Sequence, residues 1–130
     1  MIETAPDVIR ILIVDDSAIM RNLIVRSLQL SGIQAELREA DNGESALHMM
    51  GLEKFSLVLL DLHMPVMNGR EVIAHLRASP KFGQFPIIVI SSDRTAQDIP
   101  EIRDTVAGFL HKPFTPSQLG QSIRQVLRSQ

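Results

Sequence analysis

Residues 11–16 read ILIVDD, with four apolar side chains directly before the adjacent carboxylates of Asp15 and Asp16. A short run that is apolar throughout is typical of a strand that is covered on both faces of a sheet. Two like charges at the end of a buried strand repel each other and lose solvation, so they need a compensating cation. The stretch therefore predicts a buried strand with a charged site at its carboxyl end.

The rest of the chain alternates between strand-like and helix-like segments. Strand patterns are present at ILIV (11–14), QAELREA (34–40), LVLL (57–60), IIVI (87–90) and GFL (108–110). Apolar residues at helical spacing predict helices over 19–30, 44–50 and 70–78, and after residue 115. Strand and helix repeated in this way predict an α/β fold: a five-stranded parallel sheet with right-handed crossovers and helices on both faces.

Local signals mark where several helices begin and end. Gly32 is suited to the C-terminal cap of the first helix. Thr115 and Gln118 form a capping box around a proline at the first helical position. The Ile99-Pro100 pair interrupts the segment that should form the fourth helix. Because proline suits a first turn and not a helix interior, we expect this helix to start late and to be short.

Length and composition favour a single domain. The chain has 130 residues, of which 45% are hydrophobic and 22% are charged, close to the average for globular proteins. We expect an N-terminal tail over 1–9 and one domain over 10–130. The sequence has no cysteine, which excludes disulfides, thiolate zinc sites and cysteine catalysis, and is compatible with a reducing cytoplasm.

Charge and hydropathy patterns argue against several other classes of protein. The first residues have no basic leader, and no run approaches the roughly 18 apolar residues of a membrane helix. The formal charge is -2, and the lysines and arginines are scattered, so there is no electrostatic footprint for nucleic acid. We therefore expect a cytoplasmic protein with no membrane insertion and no direct nucleic-acid binding.

Polar residues follow the predicted strands at the point where each strand ends: Asp15, Asp16, Asp61, Ser91 and Lys112. Because parallel strands present their carboxyl ends at one edge of a sheet, these residues should converge there. If the first and third strands are neighbours, about 4.8 Å apart, three carboxylates crowd together. Carboxylate oxygens suit Mg²⁺ or Mn²⁺, and such an ion completes its shell with phosphate oxygens. The edge therefore predicts a metal site that receives a phosphoryl group.

Each of these residues alone has an ordinary structural interpretation. Adjacent aspartates can cap a helix, a single aspartate or serine can be a turn residue, and a lysine before proline can lie in a loop. Their shared edge favours the functional interpretation. The four histidines lack the spacing of a metal site, and the methionines between residues 49 and 67 are interpreted as packing residues.

Four sequence blocks carry a resemblance to the CheY-like receiver domain of bacterial response regulators. They are VDDSAIMR (14–21), LLDLHMPVMNG (59–69), VISSD (89–93) and GFLHKPF (108–114). The resemblance covers residues 9–128, and the four blocks occur in the family's order with compatible spacing. It implies a flavodoxin-like (βα)5 fold with strand order 2-1-3-4-5 and a cis bond between Lys112 and Pro113.

The resemblance also implies a metal-dependent phosphoacceptor. Asp61 would accept the phosphoryl group, and Asp16 and Asp61 would bind Mg²⁺ directly. Asp15 would act largely through a bound water, and the backbone carbonyl of His63 would be the third protein ligand. Lys112 would neutralise first the acceptor and then the phosphoryl group.

Further positions are implied to transmit the signal or to set its lifetime. Ser91 would move to bond a phosphoryl oxygen, and Phe109 would be the aromatic switch that follows it, in place of the commoner tyrosine. His63 and Asp93 occupy positions that tune how fast the phosphoryl group is lost to water. Ser92 stands where the family usually has alanine or glycine, which would slightly narrow access to the phosphoryl group.

The function implied is that of a two-component signalling receiver, not of an enzyme acting on a separate substrate. The donor would be a phosphohistidine on a sensor histidine kinase or a histidine phosphotransfer protein. Phosphorylation would switch the surface formed by the fourth helix, the fifth strand and the fifth helix. A chemotaxis-type messenger, a phosphorelay intermediate and the receiver of a longer regulator all remain open.

Two other classes of protein share parts of this pattern. A Mg²⁺-dependent phosphohydrolase of the haloacid-dehalogenase type also uses a strand-end aspartate and a lysine. If Asp15 were its nucleophile, a second aspartate would be expected at position 17, which is serine. A flavodoxin-like nucleotide binder would need a phosphate-cradling loop after the first strand, and DDSAIM (15–20) is acidic there.

Overall fold

The computed structural model describes residues 8–79 and 85–129. Its strands are β1 (Arg10–Val14), β2 (Glu36–Ala40), β3 (Leu57–Leu60), β4 (Ile87–Ser91) and β5 (Gly108–His111). Its α-helices are α1 (Ala18–Leu30), α2 (Gly43–Leu52), α3 (Gly69–Ala78), α4 (Pro100–Arg103) and α5 (Pro116–Arg128). The predicted strands and helices are therefore present, with bounds that differ by at most two residues.

The five strands form one parallel sheet in the order β2-β1-β3-β4-β5, as the resemblance implies. The register places Val14 opposite Ala40 on one side and opposite Leu60 on the other. The residues that follow Val14 and Leu60 therefore leave the sheet side by side. This register brings the two acidic segments of the sequence together.

Hydrophobic side chains fill both faces of the sheet. In β1, Leu12 and Val14 pack in the core on the side of α2, α3 and α4, whereas Ile11 and Ile13 pack on the side of α1 and α5. All four side chains are at most 1% exposed. Burial of each such side chain contributes roughly 1.5 to 3 kcal/mol, which explains why the central strands are apolar throughout.

Side-chain caps fix the ends of the helices. Ser17 caps α1 by accepting a hydrogen bond from the Met20 amide, and Thr115 and Gln118 form the predicted capping box of α5. Gly32 follows the end of α1 with φ +72°, the left-handed conformation expected of a glycine at that position.

The fourth helix is a single turn, preceded by a 3-10 turn at Ala96–Asp98. Pro100 is its first residue, which confirms that this helix starts late and is short. A helix of four residues has little intrinsic stability, so it depends on tertiary contacts. Arg77 of α3 supplies one of them by donating to the Glu101 carbonyl at 3.1 Å and to the Thr105 hydroxyl at 2.9 Å.

Other expectations concern the ends of the chain and the membrane. The first strand starts at Arg10, but residues 1–7 and 130 lie outside the described residues, so the division into a tail over 1–9 and a domain over 10–130 stays a prediction. Within the described ranges, no helix combines the length and the apolar character needed to cross a bilayer.

Candidate functional site

Two buried aspartates follow neighbouring strands at the carboxyl edge of the sheet. The Asp61 amide donates to the Val14 carbonyl at 2.9 Å, and the Asp15 amide donates to the Ala40 carbonyl at 3.1 Å. The hydrogen-bond ladder of the sheet thus continues one residue past β1 and β3. Oxygen atoms of Asp15, Asp61 and the adjacent Asp16 all lie within 4.8 Å of one another, so the expected crowding of three carboxylates is present.

Lys112 provides the cation that the two buried carboxylates require. Its Nζ lies 3.1 Å from Asp15 Oδ2 and 3.6 Å from Asp61 Oδ1. The amide of Lys112 donates to the Ser91 carbonyl at 3.0 Å, which ties the lysine to the end of β4, and the bond to Pro113 is cis as expected. Among the described residues, the Lys112 ammonium group contacts two of the three carboxylates, so the cluster retains excess negative charge.

Burial, and to a smaller extent this excess charge, perturb the pKa of Asp61. Burial raises the pKa of the Asp61 carboxyl group, and the nearby carboxylates of Asp15 and Asp16 raise it further. The Lys112 ammonium group and a hydrogen bond from the His63 amide, at 3.5 Å, oppose this rise without cancelling it. Asp61 is therefore a carboxyl group whose ionised form would be stabilised by an additional cation.

The third carboxylate of the cluster is in a different environment. Asp15 and Asp61 are 2% and 6% exposed, whereas the third carboxylate, Asp16, is exposed to solvent. Within the described parts of the chain, no donor pairs with the Asp16 carboxylate. Three oxygen ligands with one at the mouth of the pocket suit a hard divalent ion that keeps part of its water shell.

The alternative that the paired aspartates cap α1 is wrong. The cap is Ser17, whose hydroxyl accepts from the Met20 amide at 3.1 Å, while the Ser17 amide donates to Asp15 Oδ1 at 2.9 Å. The second oxygen of Asp15 faces Lys112. Both oxygens of Asp15 are therefore engaged, and Asp16 is left available for a ligand.

Sequence reasoning missed Arg21, which contacts the loop that carries the aspartates. Its Nη1 donates to the backbone carbonyl of Asp15 at 2.6 Å, and its Nε donates to Glu39 Oε1 at 2.8 Å. One feature of the sequence could have indicated this contact: Arg21 lies one helical turn after Ser17, from where its side chain can reach back to the start of α1.

The residues expected to signal or to set the lifetime lie around the end of β4. Ser91 is buried, and its Oγ accepts from the Asp93 amide at 3.0 Å, whereas Ser92 is exposed. His63 Nε2 lies 3.9 Å from Asp93 Oδ2, and the His63 side chain is 66% exposed. Hydrogen bonds from Thr95 lower the pKa of Asp93, and His63 adds a smaller lowering effect.

Phe109 lies in the middle of β5, opposite Val89 of β4. It is half-buried and packs against the core on the side of α3 and α4. Its ring is therefore on the sheet face that the one-turn α4 covers, and not in the acidic pocket.

Comparisons with known proteins agree with this architecture. The family model for the response regulator receiver domain matches residues 11–124. The chain is 33% identical over 120 residues to chemotaxis protein CheY1 of Helicobacter pylori, a match that covers 91% of this chain and 96% of that protein. It is 31% identical over 118 residues to chemotaxis protein CheY-3 of Vibrio cholerae, covering 90% of each.

A solved structure shows the same fold. The chemotaxis response regulator CheY4 of Vibrio cholerae aligns with a TM-score of 0.80 at 27% identity, covering 92% of this chain and 99% of that chain. The family match spans the five strands, except for Arg10 at the start of β1, and most of α5. With the strand order and the strand-end carboxylates, these matches show that the chain belongs to the CheY-like response regulator receiver domains, the signalling domains of two-component systems.

Proposed function

We propose that this receiver is switched by phosphorylation of Asp61, with a phosphohistidine of a sensor kinase or a phosphotransfer protein as the donor. The observation that carries the proposal is the position of the Lys112 ammonium group, 3.1 Å from Asp15 and 3.6 Å from Asp61. A cation held against the acceptor by a second carboxylate is placed to neutralise the charge of an incoming phosphoryl group.

In the proposed reaction, Asp61 is the nucleophile. One of its carboxylate oxygens attacks phosphorus, an O–P bond forms, and the N–P bond to the donor histidine breaks with its electron pair going to the imidazole. Asp15 orients Lys112 through Oδ2 while its Oδ1 is fixed by the Ser17 amide. The chain thus supplies the acceptor and a fixed positive charge.

The proposal includes Mg²⁺, or Mn²⁺, held by Asp16 and Asp61. Asp15 would act through a water, and the His63 carbonyl would complete the protein ligands. The fit rests on three carboxylates with ligand atoms within 4.8 Å, and on Asp16 being exposed and having no partner among the described residues. When bound, the ion would offset the negative charge of the pocket and of the phosphoryl oxygens.

Ser91 and Phe109 would couple phosphorylation of Asp61 to a change at the protein surface. Ser91 would turn its hydroxyl toward a phosphoryl oxygen, which changes its contact with the Asp93 amide. The populations of the Phe109 side-chain conformations would then change, which would alter the surface formed by α4, β5 and α5. His63, Ser92 and Asp93 are proposed to tune the lifetime of the phosphorylated state.

A chemotaxis-type messenger in the cytoplasm is the cellular role we favour among the three that the sequence leaves open. Both named relatives are chemotaxis proteins. The downstream target is proposed to be a protein rather than nucleic acid or membrane. Because α4 is only one turn long, we expect the surface of α4, β5 and α5 that would bind the target to have a shape specific to this chain.

Among the described residues, nothing favours the phosphohydrolase alternative. With Asp15 as its nucleophile, that enzyme would need a free carboxylate there and an acid two residues later. Asp15 is buried with both oxygens engaged, and position 17 holds the serine that caps α1.

The test is to incubate the protein with acetyl phosphate with and without Mg²⁺ and to count phosphoryl groups by intact mass. We expect one Mg²⁺-dependent group on the parent and none on Asp61→Asn. Asp41→Asn is the matched control, because Asp41 follows β2 at the same edge, is exposed, and lies outside the carboxylate cluster.

Two results would contradict the proposal. Labelling of Asp61→Asn at the parent level would mean that another residue is the acceptor. Continuous turnover of a phosphomonoester substrate, with no stoichiometric label on the chain, would instead indicate a phosphohydrolase.

A further inference from the structure

The Asp15 backbone is held by the residues around it. Its amide is bonded to β2 through the Ala40 carbonyl, and its own carbonyl accepts from Arg21 Nη1 at 2.6 Å. The Arg21 side chain is only 17% exposed, so this hydrogen bond is sheltered from water. A hydrogen bond to a charged donor in such a setting is stronger than an ordinary one.

The carbonyl that Arg21 holds belongs to the peptide unit between Asp15 and Asp16. A peptide unit is planar, so fixing its oxygen fixes the direction in which the chain enters Asp16. The Asp16 side chain has no partner of its own among the described residues. Its position toward Asp61 is therefore determined through the backbone that Arg21 holds.

Glu39 orients the guanidinium group from the neighbouring strand. Its Oε1 accepts from Arg21 Nε at 2.8 Å, and Glu39 lies opposite Ile13 in the sheet, on the face that α1 covers. A planar guanidinium can bond both partners at once, which a lysine ammonium on a flexible stem cannot reproduce with the same geometry.

We propose that Arg21 is a positioning residue of the metal site, oriented by Glu39, and that it holds the Asp15-Asp16 peptide so that Asp16 faces Asp61 before any ion binds. The inference rests on the proposed function, since it assumes that the cluster binds Mg²⁺. Residues that hydrogen-bond to metal ligands and orient them typically contribute 10-fold to 100-fold to the affinity for the metal.

Position and charge predict opposite effects when Arg21 is replaced. If Arg21 acted only by its charge, Arg21→Gln would remove a cation that repels Mg²⁺, and affinity would rise; Arg21→Lys would change little. If Arg21 positions the peptide, both variants lose affinity. The sign of the change in the dissociation constant therefore separates the two roles.

The experiment measures the Mg²⁺ dissociation constant by titration calorimetry for the parent, Arg21→Gln, Arg21→Lys and a matched control. The control is Arg10→Gln, which breaks an ion pair of the same 2.8 Å length between Arg10 of β1 and Glu36 of β2, at the opposite end of the strands. We expect at least about a tenfold weaker Mg²⁺ affinity in both Arg21 variants and no change in the control.

A second readout needs no metal. In metal-free protein, the amide resonances of Asp16 and Ser17 should shift in both Arg21 variants and stay in place in Arg10→Gln. Arg21 variants with parent-like Mg²⁺ affinity and parent-like resonances would overturn the inference while leaving the proposed function intact. A parent chain that binds no Mg²⁺ would instead overturn the metal site itself, and the inference with it.

Discussion

At Asp61, the proposed phosphoryl acceptor, the fold buries an ionisable carboxyl group beside two other carboxylates. Burial and two neighbouring carboxylates raise its pKa, so in the metal-free protein its ionised form is disfavoured relative to the unfolded chain. The stability contributed by the protonated form is fully present below the unfolded pKa of about 3.9 and is lost as pH rises through the folded pKa.

From this sign we predict that Asp61→Asn is more stable than the parent at pH 7 in the presence of a chelator. Asparagine has nearly the same shape and carries no charge to desolvate. The advantage should shrink as pH falls and vanish below about pH 3.9, where the parent carboxyl group is neutral in both states. Urea denaturation across this pH range measures the difference in the free energy of unfolding. A parent more stable than the variant at pH 7 would show that the attraction of Lys112 for the ionised carboxylate outweighs the cost of burying it.

Val66 is a second residue at which the fold is strained. Its φ is +67°, in the left-handed region that a β-branched residue rarely adopts, and its side chain is 76% exposed. We predict that Val66→Asn raises the free energy of unfolding by about 1 kcal/mol, because asparagine tolerates this conformation and little packing is lost. Val8→Asn, at another exposed valine, is the control in the same denaturation assay and should leave the stability unchanged within about 0.5 kcal/mol.

Sequence reasoning found the residues of the pocket whose position follows from a strand end. Asp15, Asp61 and Lys112 each follow an apolar run, so the shared edge of a parallel sheet places them together. Arg21 and Val66 were not found. A single arginine on a helix has no pattern that shows which carbonyl it reaches, and a backbone dihedral of a loop valine is not visible in the sequence.

The start of α3 is packed against the end of β3, and this contact fixes the loop that carries Asp61. The amide of Gly69 donates to the Leu62 carbonyl at 3.0 Å, and a Cβ at Gly69 would clash with the Asp61 carbonyl and with the backbone of Leu62. Because backbone atoms are in the way, no side-chain rotation can relieve the clash.

We therefore predict that Gly69→Ala destabilises the protein by about 1 to 3 kcal/mol and weakens Mg²⁺ binding, because α3 or the Asp61 loop must move. Gly108→Ala is the matched control. A Cβ at Gly108 would meet Ile88 and Val126 only at ordinary distances, 3.8 and 3.9 Å. Thermal and urea denaturation of both variants measure the difference, and equal stabilities would contradict the close packing described above.

The ends of the helices could be predicted where a local signal exists. The capping box at Thr115 and the proline at position 100 both marked the correct first turns. The predicted helix over 44–50 extends in the structure from Gly43 to Leu52. Gly51 directly follows the predicted end but lies within the last turn, so this glycine does not mark the boundary, and packing of Met50 into the core carries the helix further.

For the molecule as a whole, the fold class followed from the sequence, but the order of the strands did not. Strands that are apolar on both faces have no polar side to indicate which neighbour they pair with, so periodicity alone leaves several orders open. The resemblance supplied the order 2-1-3-4-5. The register of β1 with β3 then placed Asp15 beside Asp61, which the linear sequence could predict only conditionally.

The proposed Mg²⁺ site would couple the stability of the whole domain to Mg²⁺. An ion that binds only the folded chain stabilises it by RT ln(1 + [Mg²⁺]/Kd), which is about 1.4 kcal/mol at ten times the Kd. For a domain of this size, we predict that the melting temperature rises by about 5 °C. Asp61→Asn should lose most of this rise, because it removes one of the three carboxylates.

NaCl at matched ionic strength controls for screening, which weakens the repulsion between the carboxylates without occupying a site. An equal rise in melting temperature in NaCl and in MgCl₂ would mean that screening, and not a bound ion, relieves the repulsion between the carboxylates, two of which end the ILIVDD stretch.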